Sequence, residues 1–302
     1  DVTTGLRSRF RYWQLRPRQV PGKVMSWKAG PNTPPPHIVP LPDLEVRATS
    51  YRQWREANGA ALKANVDGIF AVSDLCRETA LRFLPDGTQI TALPLPMDIE
   101  VSAQERQMLR ASRPERDGIT LSFIGYNIPS KGLPFLIDAL MEIDDPFFCE
   151  NVDLLIVARL SPQRSRQLQQ LRTRFRNVRI VPGYARNQLT ALSQQIDLNI
   201  VPSIWWETFN QVTVEMGLLG VPSLVSDRVG AKQTIASTDF VFEAENKADF
   251  CAKLTALVHD PKQRERFFDT PLQIPELKEH VDELMKFYKT GEPRANTTSV
   301  KE

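Results

Sequence analysis

Cysteine, histidine and unbroken apolar sequence are all scarce in this chain of 302 residues, and each shortage excludes something. Cys76, Cys149 and Cys251 are odd in number, far apart and without a CxxC pair, which excludes a disulfide framework. They read as reduced, buried thiols of a reducing compartment. His37, His259 and His280 are the only histidines, and none joins a cluster with zinc spacing. No two aspartates lie two residues apart, so a paired-aspartate metal site is missing, and no GxSxG elbow occurs. No apolar run nears the ~18 residues of a spanning helix, and no signal-peptide pattern is seen. A net charge of only +2 gives no global field for nucleic acid. The expectation is a cytoplasmic protein that holds no metal and binds no nucleic acid.

What is present is ordinary for globular cores: 41% apolar and 25% charged residues, in a chain long enough for two modest domains. It starts on Asp1, so it is either processed or a piece of a longer protein. Residues 1–48 form a basic, then proline-rich arm. Arg7, Arg9, Arg11, Arg16, Arg18, Lys23 and Lys28 face a single acid, Asp1, with Phe10, Tyr12, Trp13 and Trp27 interleaved. Such a segment suits peripheral contact with an anionic membrane or a phosphorylated acceptor; a solvated arm is the simpler reading. Residues 31–43 hold enough prolines to predict an extended linker.

From residue 49 strands and helices alternate. A helix is predicted over 50–65, a strand over 67–73, a helix over 74–83 and a strand over 88–93. Residues 99–118, rich in Glu, Gln and Arg, read as an interdomain connection. Strands at 120–125, 152–158, 178–181, 198–201, 222–226 and 240–242, separated by helical segments, predict a doubly wound parallel sheet over 119–272. Residues 273–290 hold a last helix and 291–302 a polar, disordered tail. The six arginines between Arg164 and Arg179 read as a solvated face opposite Leu168, Leu171 and Phe175.

The most informative unit is residues 198–231. An apolar strand ends at Pro202-Ser203, Trp205, Trp206 and Glu207 follow in a loop, and a helix carries Glu215. Gly220 closes it like a left-handed cap. Eight helical steps would separate the two carboxylates by ~12 Å. A glycosidase pair needs about 5 Å, or up to ~9.5 Å with water between. The spacing favours two grips on one extended ligand. Gly125 allows close backbone approach, and Lys131 stands before a helix where a cation and free N–H groups can hold phosphate. The tryptophans can stack on a base or pack in the core, and core packing is the expectation.

Glu207, seven residues, then Glu215, between Pro202-Ser203 and Gly220-Val-Pro-Ser-Leu-Val-Ser-Asp227, resembles the glutamate signature of retaining glycosyltransferases. The family includes glycogen synthases and sucrose synthases. The resemblance implies an α/β, GT-B-like fold of two Rossmann-like domains facing a cleft. Here the first domain (49–98) is incomplete or atypical, and too few residues precede it for the family's opening βαβ units. It implies transfer of a sugar, with retention and without cofactor or metal, from a nucleotide-diphosphate sugar to a glycan or lipid-linked acceptor. Carried over, Lys131 and Glu207 are the catalytic residues. Gly125, Lys131, Glu207, Phe209, Asn210, Gln211 and Glu215 hold the donor, Glu207 at its sugar and Glu215 at its ribose. The chain departs from the pattern where Tyr126 and Asn127 replace a diphosphate-binding Arg, for which Arg159 or Arg228 could substitute. It departs again where Asn210 replaces a Gly and Gln233 a Glu. Those departures, with the short first domain, leave open a non-catalytic, glycosyltransferase-like binding or scaffolding domain; a nucleotide-sugar epimerase ranks below both.

Overall fold

The computed structural model describes residues 41–99 and 101–291; the basic arm and most of the polar tail lie outside the described residues. The chain divides into two compact units between Ala57 and Asn58. The described part of the first is the front of helix α1 (Leu41–Asn65). Pro42 stands in its opening turn, where a missing N–H leaves no bond unmade. The extended-linker expectation therefore fails for residues 41–43, which are already helical.

The second unit opens with a small parallel pair, β1 (Ile69–Ala71) and β2 (Ile90–Ala92), joined through α2 (Asp74–Leu81). Ser73 caps α2 by accepting a bond from Cys76 N at 3.0 Å. After α3 (Ala103–Ala111), inside the predicted connection, comes the main sheet. Its strands are β3 (Ile119–Ile124), β4 (Val152–Val157), β5 (Asn177–Val181), β6 (Leu198–Val201), β7 (Ser223–Ser226) and β8 (Val241–Phe242). All pairings are parallel, in the order β5-β4-β3-β6-β7-β8. Counted within the sheet, this is the Rossmann order 3-2-1-4-5-6.

A parallel sheet must be covered on both faces, and the alternation along β4 shows how. Leu154 and Ile156 point into a core built with Leu133, Leu136 and Leu140 of α4 (Leu133–Glu142), Leu168 and Leu171 of α6 (Pro162–Leu171), and Phe250 and Leu254 of α9 (Lys247–His259). Leu155 and Val157 point the other way, against Leu189 and Leu192 of α7 (Leu189–Ser193) and Met216 of α8 (Gln211–Leu218). A short helix, α5 (Pro146–Asn151), fills the turn before β4 and has no counterpart in the sequence reading. Two helices close the chain, α10 (Pro261–Glu265) and α11 (Leu277–Thr290). The latter returns to the small sheet: Phe287 meets Phe70 edge-on at 5.2 Å, and the ring lies where a side chain on Gly68 would stand.

One expectation needs correction. The three cysteines are free, as read, but half-buried rather than buried. The arginine stretch is largely the solvated face expected, with Arg166, Arg172, Arg176 and Arg179 exposed. Arg176 forks onto Asp153 at 2.9 and 2.6 Å, and the guanidinium of Arg174 donates to the carbonyl of Ile143. Arg176 ties the end of this crossover to the start of β4, and Arg174 ties it to the residue that ends α4.

One polar line runs through the middle of the sheet. Asn199 on β6 is wholly buried; its Oδ1 accepts from Ser122 Oγ on β3, and its Nδ2 donates to Ser223 Oγ on β7, each at 3.1 Å. Removing the amide strands two buried hydroxyls and opens a void. We expect Asn199→Ala to lower unfolding free energy by about 3 kcal/mol in urea titration, an order-of-magnitude sum of lost bonds and packing.

Candidate functional site

In this strand order the chain reverses direction across the sheet between β3 and β6, and the crevice beyond their carboxyl ends is the topological switch point. Two loops meet there. Ile204 N, after β6, donates to Ser130 O, after β3, at 3.0 Å. Gly132 has φ +77°, and a Cβ at that position would lie 1.6 Å from the carbonyl oxygen of Pro202. The loop can close this tightly only on glycine. Lys131, just before it, is thereby aimed across the crevice.

Glu207 is held from several sides. Its backbone N donates to Arg228 O at 2.9 Å and its carbonyl accepts from Gly230 N at 3.1 Å, a parallel bridge to the stretch after β7. Its side chain, 9% exposed, accepts at Oε2 from Lys131 Nζ at 2.8 Å and from Asn210 Nδ2 at 2.9 Å; at Oε1 it accepts from Ser203 Oγ. Asn210 sits at φ +82°, which explains the preference for glycine there in the resembled pattern. Asparagine is among the side chains that tolerate that region, and its Oδ1 caps α8 by accepting from Thr213 N at 3.0 Å.

Glu215, one turn into α8, is buried, with only 6% of its side chain exposed. Its Oε1 accepts from Arg186 NH1 at 3.0 Å. Tyr184 stands nearby. Burial, and then the negative charge of Glu215, push its phenol above the usual tyrosine range, so it remains protonated at neutral pH. These groups line one cleft of about 440 Å³, floored by Phe123, Ile200 and Val201.

Of the residues expected from sequence, the structure places Gly125, Lys131, Glu207, Asn210, Gln211 and Glu215 in the lining of this cleft. Phe209 is not among them. Its side chain is 3% exposed and belongs to the core, so it anchors the loop from behind. The core-packing expectation for the tryptophans is also corrected: Trp205 and Trp206 are 66% and 42% exposed, and Arg82 and Arg228 each lie 5.8 Å from the Trp206 ring. Neither arginine proposed as a substitute lines the cleft. Arg228 is committed to Ile204 O and Glu245, and Arg159 lies outside the lining on the exposed surface. The cation that does enter is Arg186, which sequence reasoning missed. Glu207 and Glu215 are not separated by eight helical steps, because the segment is helical only from Gln211 onward.

Fold and site together define an α/β protein whose Rossmann-ordered parallel sheet carries a polar, charge-paired cleft at its switch point. Residues 118–260 match the family model of the glycosyl transferases group 1. The phosphatidyl-myo-inositol mannosyltransferase of Mycobacterium leprae is 27% identical over 227 residues, which make up 74% of this chain and 56% of that protein. Among solved structures, Anabaena HepE in complex with UDP and glucose aligns with TM-score 0.61 at 16% identity, over 79% of this chain and 67% of that one. The sucrose-phosphate synthase of Thermosynechococcus elongatus aligns with TM-score 0.57 at 20% identity, over 77% and 60%. These structural likenesses establish the GT-B-like α/β fold. The chain spans only about half to two thirds of the length of these proteins.

Proposed function

We propose that this protein is a retaining glycosyltransferase that moves a sugar from a nucleotide-diphosphate donor to a glycan or lipid-linked acceptor. The observation that carries the reading is convergence. Lys131 and Glu207, 76 residues apart, meet at 2.8 Å in one cleft that also holds Glu215, at the switch point of the sheet. The relatives support a nucleotide-sugar donor: one is a mannosyltransferase by name, and HepE was solved with UDP and glucose.

In this reading the donor lies along α8. Glu215 accepts hydrogen bonds from the ribose hydroxyls. The diphosphate rests near the N–H groups that open α8 and beside Lys131, whose charge stabilises the leaving group as the glycosidic bond breaks. Glu207 orients the sugar through its hydroxyls. The leaving phosphate accepts the acceptor's proton as the new bond forms on the same face. No metal or other cofactor is needed for this sequence of events. Among the described residues no helix is long and apolar enough to cross a membrane. The setting we propose is cytoplasmic, with the basic arm supplying peripheral contact to an anionic membrane.

The test is sugar transfer and donor hydrolysis by the purified chain over a panel of UDP-, GDP- and ADP-sugars, alongside Lys131→Ala. We expect turnover with one donor class and a loss of at least about 100-fold in the variant. Equal activity in both would sink the assignment. One observation favours the second reading, a donor-binding domain without turnover: both glutamates are satisfied by cations of the chain itself. Saturable donor binding with no transfer or hydrolysis would select it.

A further inference from the structure

The charges in the cleft balance within the chain itself. Lys131 is paired with Glu207, and Arg186 with Glu215. A nucleoside diphosphate adds negative charge to this neutral set and has no other lysine or arginine in the lining to meet it. Both glutamates, however, suit neutral hydroxyl donors, and a carboxylate that accepts from hydroxyls no longer needs its whole cation.

Arg186 is placed to be released. It stands in the turn after β5, two strands from β3, a lateral distance of roughly 10 Å at the usual strand spacing. Its side chain is exposed, and it uses NH1 for Glu215 Oε1 and NH2 for the Asp98 carbonyl at 3.1 Å. The Asp98 carboxylate, 3.5 Å away and 95% exposed, adds little hold on it. Guanidinium offers five donors in a fork that matches phosphate oxygens, so bonds remain for a ligand even while Glu215 is kept.

Resting on the donor reading above, we infer that Arg186 is the second anion-holding group of the cleft. Together with Lys131 it grips the diphosphate of the donor from the side opposite the β3 loop. Arg186 is then an affinity and specificity determinant for the phosphorylated part of the ligand. Its partner Glu215 serves the hydroxyls, and the backbone carbonyl of Asp98 holds the arginine ready between turnovers.

The experiment is calorimetry of the full chain with a nucleoside, its monophosphate and its diphosphate, for wild type, Arg186→Ala and Arg186→Lys, at low and high salt. The base is chosen as the one wild type binds best. We expect Arg186→Ala to weaken the diphosphate about 10- to 100-fold, as for loss of a charge-assisted bond. The nucleoside should change by less than about 2-fold, the salt dependence should flatten, and Lys should restore part of the loss. Arg186→Ala weakening nucleoside and diphosphate equally would overturn the inference, because the arginine would then act only by holding Glu215 in place. Unchanged diphosphate affinity would also overturn it. If wild type binds none of the three, the donor reading itself falls, and that outcome is distinguishable from the other two.

Discussion

Glu207→Gln is expected to cut sugar transfer about 100- to 1,000-fold while leaving nucleoside diphosphate binding intact. The glutamine is nearly isosteric, so the loop need not move, but its chemistry is wrong in a specific way. The carboxylate now accepts from three donors: Lys131 Nζ, Asn210 Nδ2 and Ser203 Oγ. An amide has one acceptor oxygen; kept toward Lys131 and Asn210 it leaves the nitrogen facing Ser203, whose hydroxyl must then reverse and accept. Lys131, only 28% exposed, also loses its counter-charge. The cost to folding is about 1–3 kcal/mol, since a part-buried charge is left without its partner. A thermal melt taken beside the kinetic assay separates that loss from catalysis.

The sign for the nucleotide goes the other way. With Glu207 neutral, the lysine charge is fully available to phosphate, and diphosphate affinity should hold or rise. A fall in transfer with retained nucleotide affinity locates Glu207 at the sugar. Parallel loss of both would place it at the phosphate instead. Transfer within about 3-fold of wild type would remove it from the chemistry, because a group that orients the reacting sugar is worth far more than that.

The sheet was legible because its strands are short apolar runs bounded by turn residues, and the crossover helices carry a clear buried stripe. The glutamate pair and Lys131 were legible for a different reason: they sit in the two loops that a Rossmann order brings together, and glycine and proline punctuate both. Arg186 had no such signature. It is a single arginine in a polar turn, 29 residues from the acid it meets, and only the side-by-side placement of strands remote in sequence makes it a cleft residue. Phe209 and the tryptophans failed because apolar side chains in a loop can face either way. The loop's hydrogen bonds to the stretch after β7, Ala231 N to Phe209 O among them, decide the matter, and no periodicity encodes those. Helix α1 starts early for a local reason, since proline breaks a helix in its interior but begins one comfortably.

Gly132→Ala should be the most damaging single-methyl change near the cleft. Two costs combine. A positive φ of 77° is unfavourable by about 1–2 kcal/mol for a residue with a Cβ. The added carbon would also fall 1.6 Å from Pro202 O, a backbone atom that cannot swing aside as a side-chain tip can. The two switch-point loops must part, and with them the Ile204-to-Ser130 bond and the aim of Lys131. A loss near or above 4 kcal/mol follows, the range reserved for such named disruptions. In a unit of this size it corresponds to a fall in melting temperature of about 10 °C. Gly87→Ala isolates the first cost. Gly87 has nearly the same φ, +75°, but an added Cβ would meet only the tip of Lys63 at 3.4 Å. It should lose about 1–2 kcal/mol and keep its transfer activity. A Gly132→Ala protein no less stable than Gly87→Ala would mean that the loops do not approach as described, and Lys131 would then have no fixed direction across the cleft. If the large difference is found, the same backbone contact that costs stability when perturbed is what holds the lysine beside Glu207, and transfer should fall in step with the melting temperature.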